Sequence, residues 1–259
     1  MKMLKRGDEW IFRLSTLALV AVIALMCMPT VAFGDVVTMK LMGTPSGDLG
    51  GVYTSPYQIT VNGRPVVLLN CDDFGTDING SSTWYANVYT FTGGVRPSQD
   101  ANLKFFTTGN TTVSNFDGTT NGTYSTDLVY DAAAILAQEI LAAYQPGGTA
   151  FTKDASYSLW QLFDPLARNS IGGTDATNAE TYMTSALNTA RLHGFSGTVT
   201  FYTPCSYDDT SGACVTNRAT SPFPPAAQEF IGVPDGGMTL MLLGGALVGL
   251  ETLRRKFRV

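Results

Sequence analysis

Two apolar runs meet at a turn signal in Tyr57-Gln58-Ile59-Thr60-Val61-Asn62-Gly63-Arg64-Pro65-Val66-Val67-Leu68-Leu69. Apolar and polar residues alternate in its first five positions, and a second apolar run fills its last five. Asn62-Gly63-Arg64 lies between them and is a turn signal, because Asn and Gly tolerate the positive φ angles of a tight turn. The stretch therefore predicts a β-hairpin.

The surrounding region, from Asp35 to about Tyr124, is rich in Gly, Thr, Asn, Ser and aromatic residues. The segment from Trp84 to Phe91 alternates in the same way and predicts a further strand. The Asn/Thr/Gly-rich stretch from Thr107 to Tyr124 predicts a long loop.

Helical periodicity begins at Thr126, which can cap a helix, while Asp127 favours the positive N-terminal end. Apolar residues then recur near a spacing of 3.6 up to Tyr144. Further elements are predicted in this order: a helix from Thr152 to Phe163, a helix from about Asn178 to His193 that ends at Gly194, and strands at 197–202 and 228–231. The chain is thus expected to be α+β, with an N-terminal β-rich region, a central three-helix segment and C-terminal β strands.

The N-terminus has the three parts of a secretory signal peptide. Basic residues come first, an apolar core runs from Leu14 to Met28, and Ala32-Phe33-Gly34 places small residues before Asp35. Residues 1–34 are therefore expected to be removed on export.

The C-terminus carries a turn motif, an apolar span and a basic cluster. The motif is Val233-Pro234-Asp235-Gly236-Gly237, the apolar run extends from Met238 to Leu250, and the cluster is Arg254-Arg255-Lys256-Phe257-Arg258. The run is at the short end of what spans a bilayer, and the cluster should stay cytoplasmic. An ordinary membrane anchor is one interpretation of this tail.

In its order of parts, the tail resembles the PEP-CTERM class of sorting signals, in the variant whose motif is VPDSG. Gly236 stands at the Ser position. The resemblance implies that a membrane-embedded exosortase recognises residues 233–259 as a sorting tail and processes it near the motif. It also implies a link to exopolysaccharide production, because this sorting system accompanies it.

The body between these two signals is acidic. Residues 35–234 contain 8 Lys+Arg and 17 Asp+Glu, a difference of 8 − 17 = −9, whereas the whole chain has a formal net charge of −5. This charge argues against nucleic acid as a partner, because binding to nucleic acid depends on neutralising phosphates. It is compatible with a soluble extracellular protein or with cation-bridged polysaccharide.

Three cysteines follow the signal peptide. Cys205 and Cys214 flank a polar, turn-rich stretch, and in an oxidising compartment they are expected to form a disulfide that closes a short hairpin loop. Two reduced thiols are the alternative. Cys71 is left over, either buried and inert or used chemically.

Cys71-Asp72-Asp73-Phe74 and a later helix containing Trp160 together resemble bodies of sorted surface proteins. More remotely, they resemble the thioester domains of bacterial adhesins, in which a Cys after a strand bonds to a Gln shortly before the helix Trp. Ala155 and Ser156 occupy the matching positions here, and neither can supply the acyl group. Gln138, Gln145 and Gln161 are out of register with that motif, so no internal thioester is expected.

Catalytic and metal sites receive little support from the sequence. His193 is the only histidine, so both a Cys71/His193 catalyst and a Ser/His/Asp triad would have to use this one residue as their base. Asp72 and Asp73 are adjacent and should face opposite sides of a strand. Asp73, Asp77 and Asn79 could form a weak Ca²⁺ site, although their spacing is not that of an EF-hand. No cofactor is expected.

The sequence therefore predicts an exported, exosortase-sorted, non-catalytic protein of the envelope or extracellular matrix, with a single extracellular domain over residues 35–232. An adhesin-like or glycan-binding module is the alternative, and an exposed aromatic strip at Trp84, Tyr85 or Tyr89 would favour it. A polysaccharide hydrolase is third, and an acidic cleft with separated carboxyls would favour that. The expected partners are the exosortase, the membrane before processing, and exopolysaccharide.

Overall fold

A computed structural model describes residues 35–44, 46–75, 82–96, 103–106, 109–208, 213–215 and 228–233. The strands are β1 Val36–Gly43, β2 Asp48–Leu49, β3 Val52–Tyr53, β4 Tyr57–Val61, β5 Val67–Cys71, β6 Thr83–Thr92, β7 Asn110–Ser114, β8 Thr120–Ser125, β9 Thr198–Asp208, β10 Ala213–Val215 and β11 Phe230–Gly232. The helices are α1 Thr126–Ala142, α2 Ala150–Gln161 and α3 Gly173–His193, with a 3-10 turn at Ala167–Ser170.

The main sheet is a six-stranded barrel. Its strands follow the order β9-β11-β5-β4-β1-β6, and β6 pairs again with β9 to close the ring. The short β10 continues the sheet outward from β9. Each of these pairings is antiparallel. The α+β class predicted from the sequence is thus correct, and closure of the ring leaves β9, β11 and β5 side by side under the helices.

The predicted hairpin is confirmed as β4 and β5, which pair antiparallel with Tyr57 opposite Leu69. Asn62 and Gly63 have φ angles of 52° and 64°, and the Arg64 N–H donates to the Val61 carbonyl at 3.0 Å. Positive φ at both central positions matches the twist of the flanking strands, which is why this turn uses Asn and Gly.

The barrel strands divide their side chains between two cores. One core fills the barrel, and the other lies between the sheet and the helices. On β11, Phe230 points into the barrel and Ile231 packs under the helices, as expected from the two-residue period of a strand. The barrel core consists of Val37, Met39, Leu41, Tyr57, Ile59, Leu69, Cys71, Trp84, Ala86 and Phe230.

Each helix differs slightly from its predicted bounds. The cap of α1 is Ser125 rather than Thr126, and its side chain accepts from the Leu128 N–H at 3.3 Å. Helix α2 begins two residues early, because Thr149 and Thr152 form a reciprocal capping box. Helix α3 begins at Gly173, in a polar turn without the apolar spacing that marks a helix, and ends as predicted at Gly194.

The predicted long loop at 107–124 is wrong. Its described part contains the β7–β8 hairpin, with a turn in which Asn115 N–H donates to the Thr119 carbonyl at 2.7 Å. Only Val113 of this hairpin is buried as a core apolar residue, so the sequence lacks the alternation that predicts strands.

The two terminal signals lie outside the described residues, as do the signal cleavage site and the predicted C-terminal span. Among the residues that are described, no helix is both long and apolar enough to cross a membrane.

Candidate functional site: a buried carboxyl cluster

The candidate site lies where β5 ends and β11 begins. Phe230 is paired with Cys71, and this register places Asp72 beside Glu229, whose carbonyl accepts from the Asp72 N–H at 3.4 Å. We define the carboxyl cluster as Asp72, Asp73 and Glu229. All three are buried, with 0%, 3% and 0% of their surface exposed. Buried carboxyls need partners, because leaving water costs a charge far more than an apolar group.

Glu229 has three donors around its carboxylate. The Lys104 main-chain N–H donates to Oε2 at 2.9 Å, and the Tyr130 hydroxyl donates to Oε1 at 3.2 Å. The Thr203 hydroxyl donates to Oε2 as well. These donors come from the segment before β7, from α1 and from β9, so three separate parts of the fold converge on one carboxylate. Such an arrangement favours the ionised form of Glu229.

Asp72 has the opposite surroundings. Within the part of the chain that the structure describes, no donor group forms a hydrogen bond with either of its carboxyl oxygens. Burial raises the pKa of Asp72 well above its ordinary value, and the Glu229 charge raises it further. Burial also raises the pKa of Glu229, but its hydrogen bonds oppose that shift. Burial therefore disfavours the ionised form of Asp72 more strongly than that of Glu229, because Asp72 lacks the hydrogen bonds that stabilise the Glu229 charge.

Asp73 is held at both its main chain and its side chain. The Cys71 thiol and the Gln228 side-chain amide both donate to the Asp73 carbonyl, each at 3.2 Å. Its carboxylate forms a buried ion pair with the Lys104 ammonium. The two side chains are 4% and 12% exposed, so water screens this pair only weakly.

Cys71 is fully buried, and its sulfur forms hydrogen bonds with the main-chain carbonyl and N–H of Asp73. Burial, followed by the charges of Asp73 and Asp72, raises the pKa of the thiol well above its usual range. A thiol in such surroundings is a poor nucleophile, because the thiolate is the reactive form. His193, the other half of the catalyst considered above, is an exposed residue at the end of α3.

The structure shows where the residue at the position of the thioester Gln lies relative to Cys71. The Cys71 N–H donates to the Ser55 hydroxyl at 3.0 Å, and the Ser55 N–H donates to the Ser156 hydroxyl at the same distance. Ser156, which stands where the resemblance places Gln, is thus next to the Cys71 strand. A hydroxyl cannot supply an acyl group, which agrees with the expectation that no thioester forms there.

The three glutamines considered for a thioester are occupied or exposed. Gln161 donates to the Ser114 carbonyl at 2.9 Å and accepts from the Arg168 N–H at 3.1 Å. Gln138 and Gln145 face solvent. The described hydrogen-bond partners of Cys71 are Ser55 and Asp73, and none of these three glutamine side chains is among them.

The predicted Ca²⁺ site is only partly described. Asp77 and Asn79 lie outside the described residues, and the carboxylate of Asp73 is in contact with the Lys104 ammonium. Within the described ranges, no group of three or more His, Cys, Asp or Glu side chains could hold a metal ion. The Ca²⁺ site stays a prediction, in which a metal would compete with the ammonium for Asp73.

The aromatic residues considered for sugar stacking are mostly internal. Trp84 and Tyr89 are buried, and Trp84 stacks on Phe230 in the barrel with a centroid distance of 5.7 Å. Tyr85 alone of the three is exposed, at 39%. The strip proposed from the sequence is therefore not formed by these residues.

The predicted cysteine pairing is confirmed at the level of geometry. Cys205 on β9 and Cys214 on β10 are paired at disulfide distance, with their Cα atoms 5.4 Å apart. In the described part of the chain, Cys71 is the remaining cysteine, and it is buried. The pairing staples the outermost strand of the sheet to the barrel.

Sequence reasoning found Asp72 and Asp73 but missed Glu229, Lys104, Tyr130 and Thr203. A Glu beside the apolar pair Phe230-Ile231 was the available signal, because a charge in a buried strand needs a partner. Of the sorting motif, only Val233 is described, and it packs on the core beneath the helices. Pro234, Asp235, Gly236 and Gly237 lie outside the described residues. No family model, curated protein or solved structure matches this chain.

Proposed function

We propose that this chain is an exported, exosortase-sorted, non-catalytic protein of the envelope or extracellular matrix. The observation that carries the proposal is the order of three features at the C-terminus. These are the Val233–Gly237 motif, the apolar run from Met238 to Leu250, and the basic cluster from Arg254 to Arg258. An ordinary membrane anchor requires the last two features but has no need of the first.

The position of the last strand supports this proposal. β11 ends at Gly232, and Val233 still packs on the core. The folded body therefore reaches to the first residue of the motif, and a cut beyond that point would leave every barrel strand in place. The cysteine pair at 205 and 214 is also suited to an oxidising destination.

The burial of the polar cluster supports a non-catalytic body. Asp72 and Glu229 have no exposed surface, and the Cys71 thiol is buried. A polymeric substrate needs accessible carboxyls at a defined separation, and these two are packed together. We propose exopolysaccharide as the extracellular partner, bridged by cations to the acidic body, which has a net charge near 8 − 17 = −9.

The test is a change to the motif in a host that carries an exosortase. Pro234→Ala with Asp235→Ala should leave the chain membrane-bound and unprocessed, because the enzyme loses its recognition turn. Cell fractionation and immunoblotting with an antibody against residues 35–232 would measure this. Pro224→Ala with Pro225→Ala is the matched control, since it changes two residues just upstream of the motif.

If the motif variant were released as efficiently as the control, the proposal would be contradicted. The tail would then be interpreted as an ordinary membrane anchor. Release of the parent chain in a host without an exosortase would contradict it as well.

A further inference from the structure

The Asp73–Lys104 pair has a feature that an ordinary ion pair lacks. The pair is buried, in direct contact, and next in the chain to a second buried carboxyl, that of Asp72. Asp73 lies two residues after the end of β5, whereas Lys104 is 31 residues further along the chain, beyond β6. Both ends are fixed by contacts that do not depend on the ion pair itself.

Lys104 is held by its neighbours in the segment 103–106. Leu103 is fully buried, and the Phe105 N–H donates to the Tyr130 hydroxyl at 3.0 Å. The Phe105 ring stacks on Phe163 with a centroid distance of 4.8 Å. The Lys104 main chain is tied to Glu229. These contacts hold the Lys104 main chain, and the ion pair holds its ammonium against Asp73, so a reaction between the two groups costs less entropy than one between groups that diffuse freely.

We propose that Lys104 and Asp73 condense to form an intramolecular amide, an isopeptide bond, so that this pair is a self-modification site. The bond does not depend on the sorting function proposed above. Its chemical requirements are an amine and a carboxyl in contact, exclusion of water, and a group that moves protons. The described residues supply all three.

The reaction balances without an oxidant or reductant. A proton first passes from the Lys104 ammonium to the Asp73 carboxylate, a transfer that burial favours because both products are neutral. The nitrogen lone pair then attacks Cγ of Asp73, and a C–N bond forms. One C–O bond of the carboxyl breaks, and that oxygen leaves as water with two protons that began on the ammonium group.

The carboxyl pair is placed to carry those protons. Asp72 is next to Asp73 in the chain, and its main-chain N–H donates to the Glu229 carbonyl at 3.4 Å. Asp72 and Glu229 are both fully buried, so two carboxyls shielded from water lie beside the ion pair and can take a proton from the nitrogen and give one to the leaving oxygen. Asp72 therefore acts as the proton carrier of the condensation, with Glu229 as its base.

The bond would close a covalent loop that contains one strand of the barrel. Residues 73 and 104 lie before and after β6 in the chain, and β6 pairs with β1 on one side and with β9 on the other. An amide resists reduction, unlike the cysteine pair on β9 and β10, so the two staples would respond differently to a reducing agent.

Tryptic digestion of the denatured, alkylated full-length chain tests the proposal. Trypsin does not cut Arg-Pro bonds, so Arg64-Pro65 and Arg96-Pro97 stay intact, and both reacting residues fall in the fragment 41–104. An acylated Lys104 is no longer a cleavage site. The expected product is therefore the fragment 41–153, lighter than its sequence mass by one water. A free fragment 41–104 at its full mass would overturn the proposal.

Variants separate this bond from other losses of water. Lys104→Arg keeps the positive charge, is still cut by trypsin, and should yield the fragment 41–104 at full mass. Asp73→Ala should do the same, and a loss of water that persisted there would refute Asp73 as the acyl donor. Lys153→Arg is the control that should behave like the parent chain.

The proton-carrier role has its own test. Asp72→Asn keeps the shape of the side chain and should leave most of Lys104 unlinked under conditions in which the parent is fully linked. Complete linking in that variant would overturn the role given to Asp72. Far-UV circular dichroism and cooperative thermal unfolding of each variant would establish that the chain is folded.

Discussion

The Asp72 carboxyl is surrounded by groups that penalise its charge and by one cation that favours it. The titratable neighbours are Cys71, Asp73, Lys104, Tyr130 and Glu229. Because burial and the Glu229 charge outweigh the Lys104 charge, the pKa of Asp72 is well above its ordinary value in the folded chain. The folded state thus binds a proton that the unfolded state releases near pH 4.

This difference predicts a stability that falls as pH rises. Above the unfolded pKa, the folded state holds the extra proton, so the free energy of unfolding decreases with pH until the folded pKa is passed. Asp72→Asn should reduce this slope, although Glu229, whose pKa burial also raises, keeps part of it. The variant should raise stability at neutral pH by roughly 1–3 kcal/mol, because it replaces a costly buried acid with a neutral donor to Glu229. Urea denaturation from about pH 5 to 8 would measure it.

The comparison should be made in the Lys104→Arg background, where no amide can form. Asp117→Asn is the control at an exposed position, where Thr119 hydrogen bonds lower the pKa of Asp117. The Asp117→Asn control should keep the decrease of the free energy of unfolding with pH. If the Asp72→Asn variant showed a decrease as steep as that of the control, groups other than Asp72 would be its cause.

At the scale of elements, the β7–β8 hairpin is the region where the sequence pattern predicts a loop and the structure contains two strands. Its residues are polar because one face is solvated and the other is tied to α3 by hydrogen bonds. The Asn121 side-chain amide donates to Thr184 at 3.1 Å, and the Phe116 N–H donates to Glu180 at 3.0 Å. These are contacts between distant parts of the chain, which local periodicity cannot reveal.

Val113 gives a direct test of this hairpin. Its side chain is 1% exposed and packs on the core beneath the helices. Val113→Ala should lower the free energy of unfolding by about 2 kcal/mol, through lost burial and the cavity left behind. The neighbouring Thr112→Ala, on the exposed face of the same strand, should change it by less than about 0.5 kcal/mol. Equal effects in urea denaturation would favour the solvated loop that the sequence suggested.

At the scale of the whole molecule, β11 decides whether the barrel closes. It has only three residues, yet it lies between β5 and β9 and supplies Phe230 to one core and Ile231 to the other. Glu229 precedes it and gathers three donors. Loss of this strand would leave two rows of main-chain groups unpaired inside the sheet.

The effect of C-terminal truncation on stability should therefore change abruptly at β11. A chain of residues 35–233 should unfold cooperatively, because it retains each strand of the barrel. A chain of residues 35–227 should lose cooperative unfolding and become sensitive to proteolysis. Thermal unfolding followed by circular dichroism would compare them, with residues 35–236 as the control. Equal melting midpoints would show that β11 is dispensable to the fold.

Features that depend on neighbours along the chain could be predicted from the amino-acid sequence. Asn62-Gly63 predicted a turn because it tolerates positive φ, the alternation around it predicted two strands, and Gly194 predicted the end of α3. The α+β class followed from the order of these elements. The spacing of Cys205 and Cys214 also indicated their pairing correctly.

Contacts between residues that are distant in the chain became visible only in the folded structure. Closure of the ring by β6 and β9 follows from strand pairing between segments far apart in the chain. Asp72 meets Glu229 because β5 pairs with β11, and Lys104 reaches Asp73 from a segment that lies beyond β6 in the chain. Burial then changes the chemistry of these groups, because a carboxyl removed from water responds to every charge nearby, and no local pattern encodes which charges those will be.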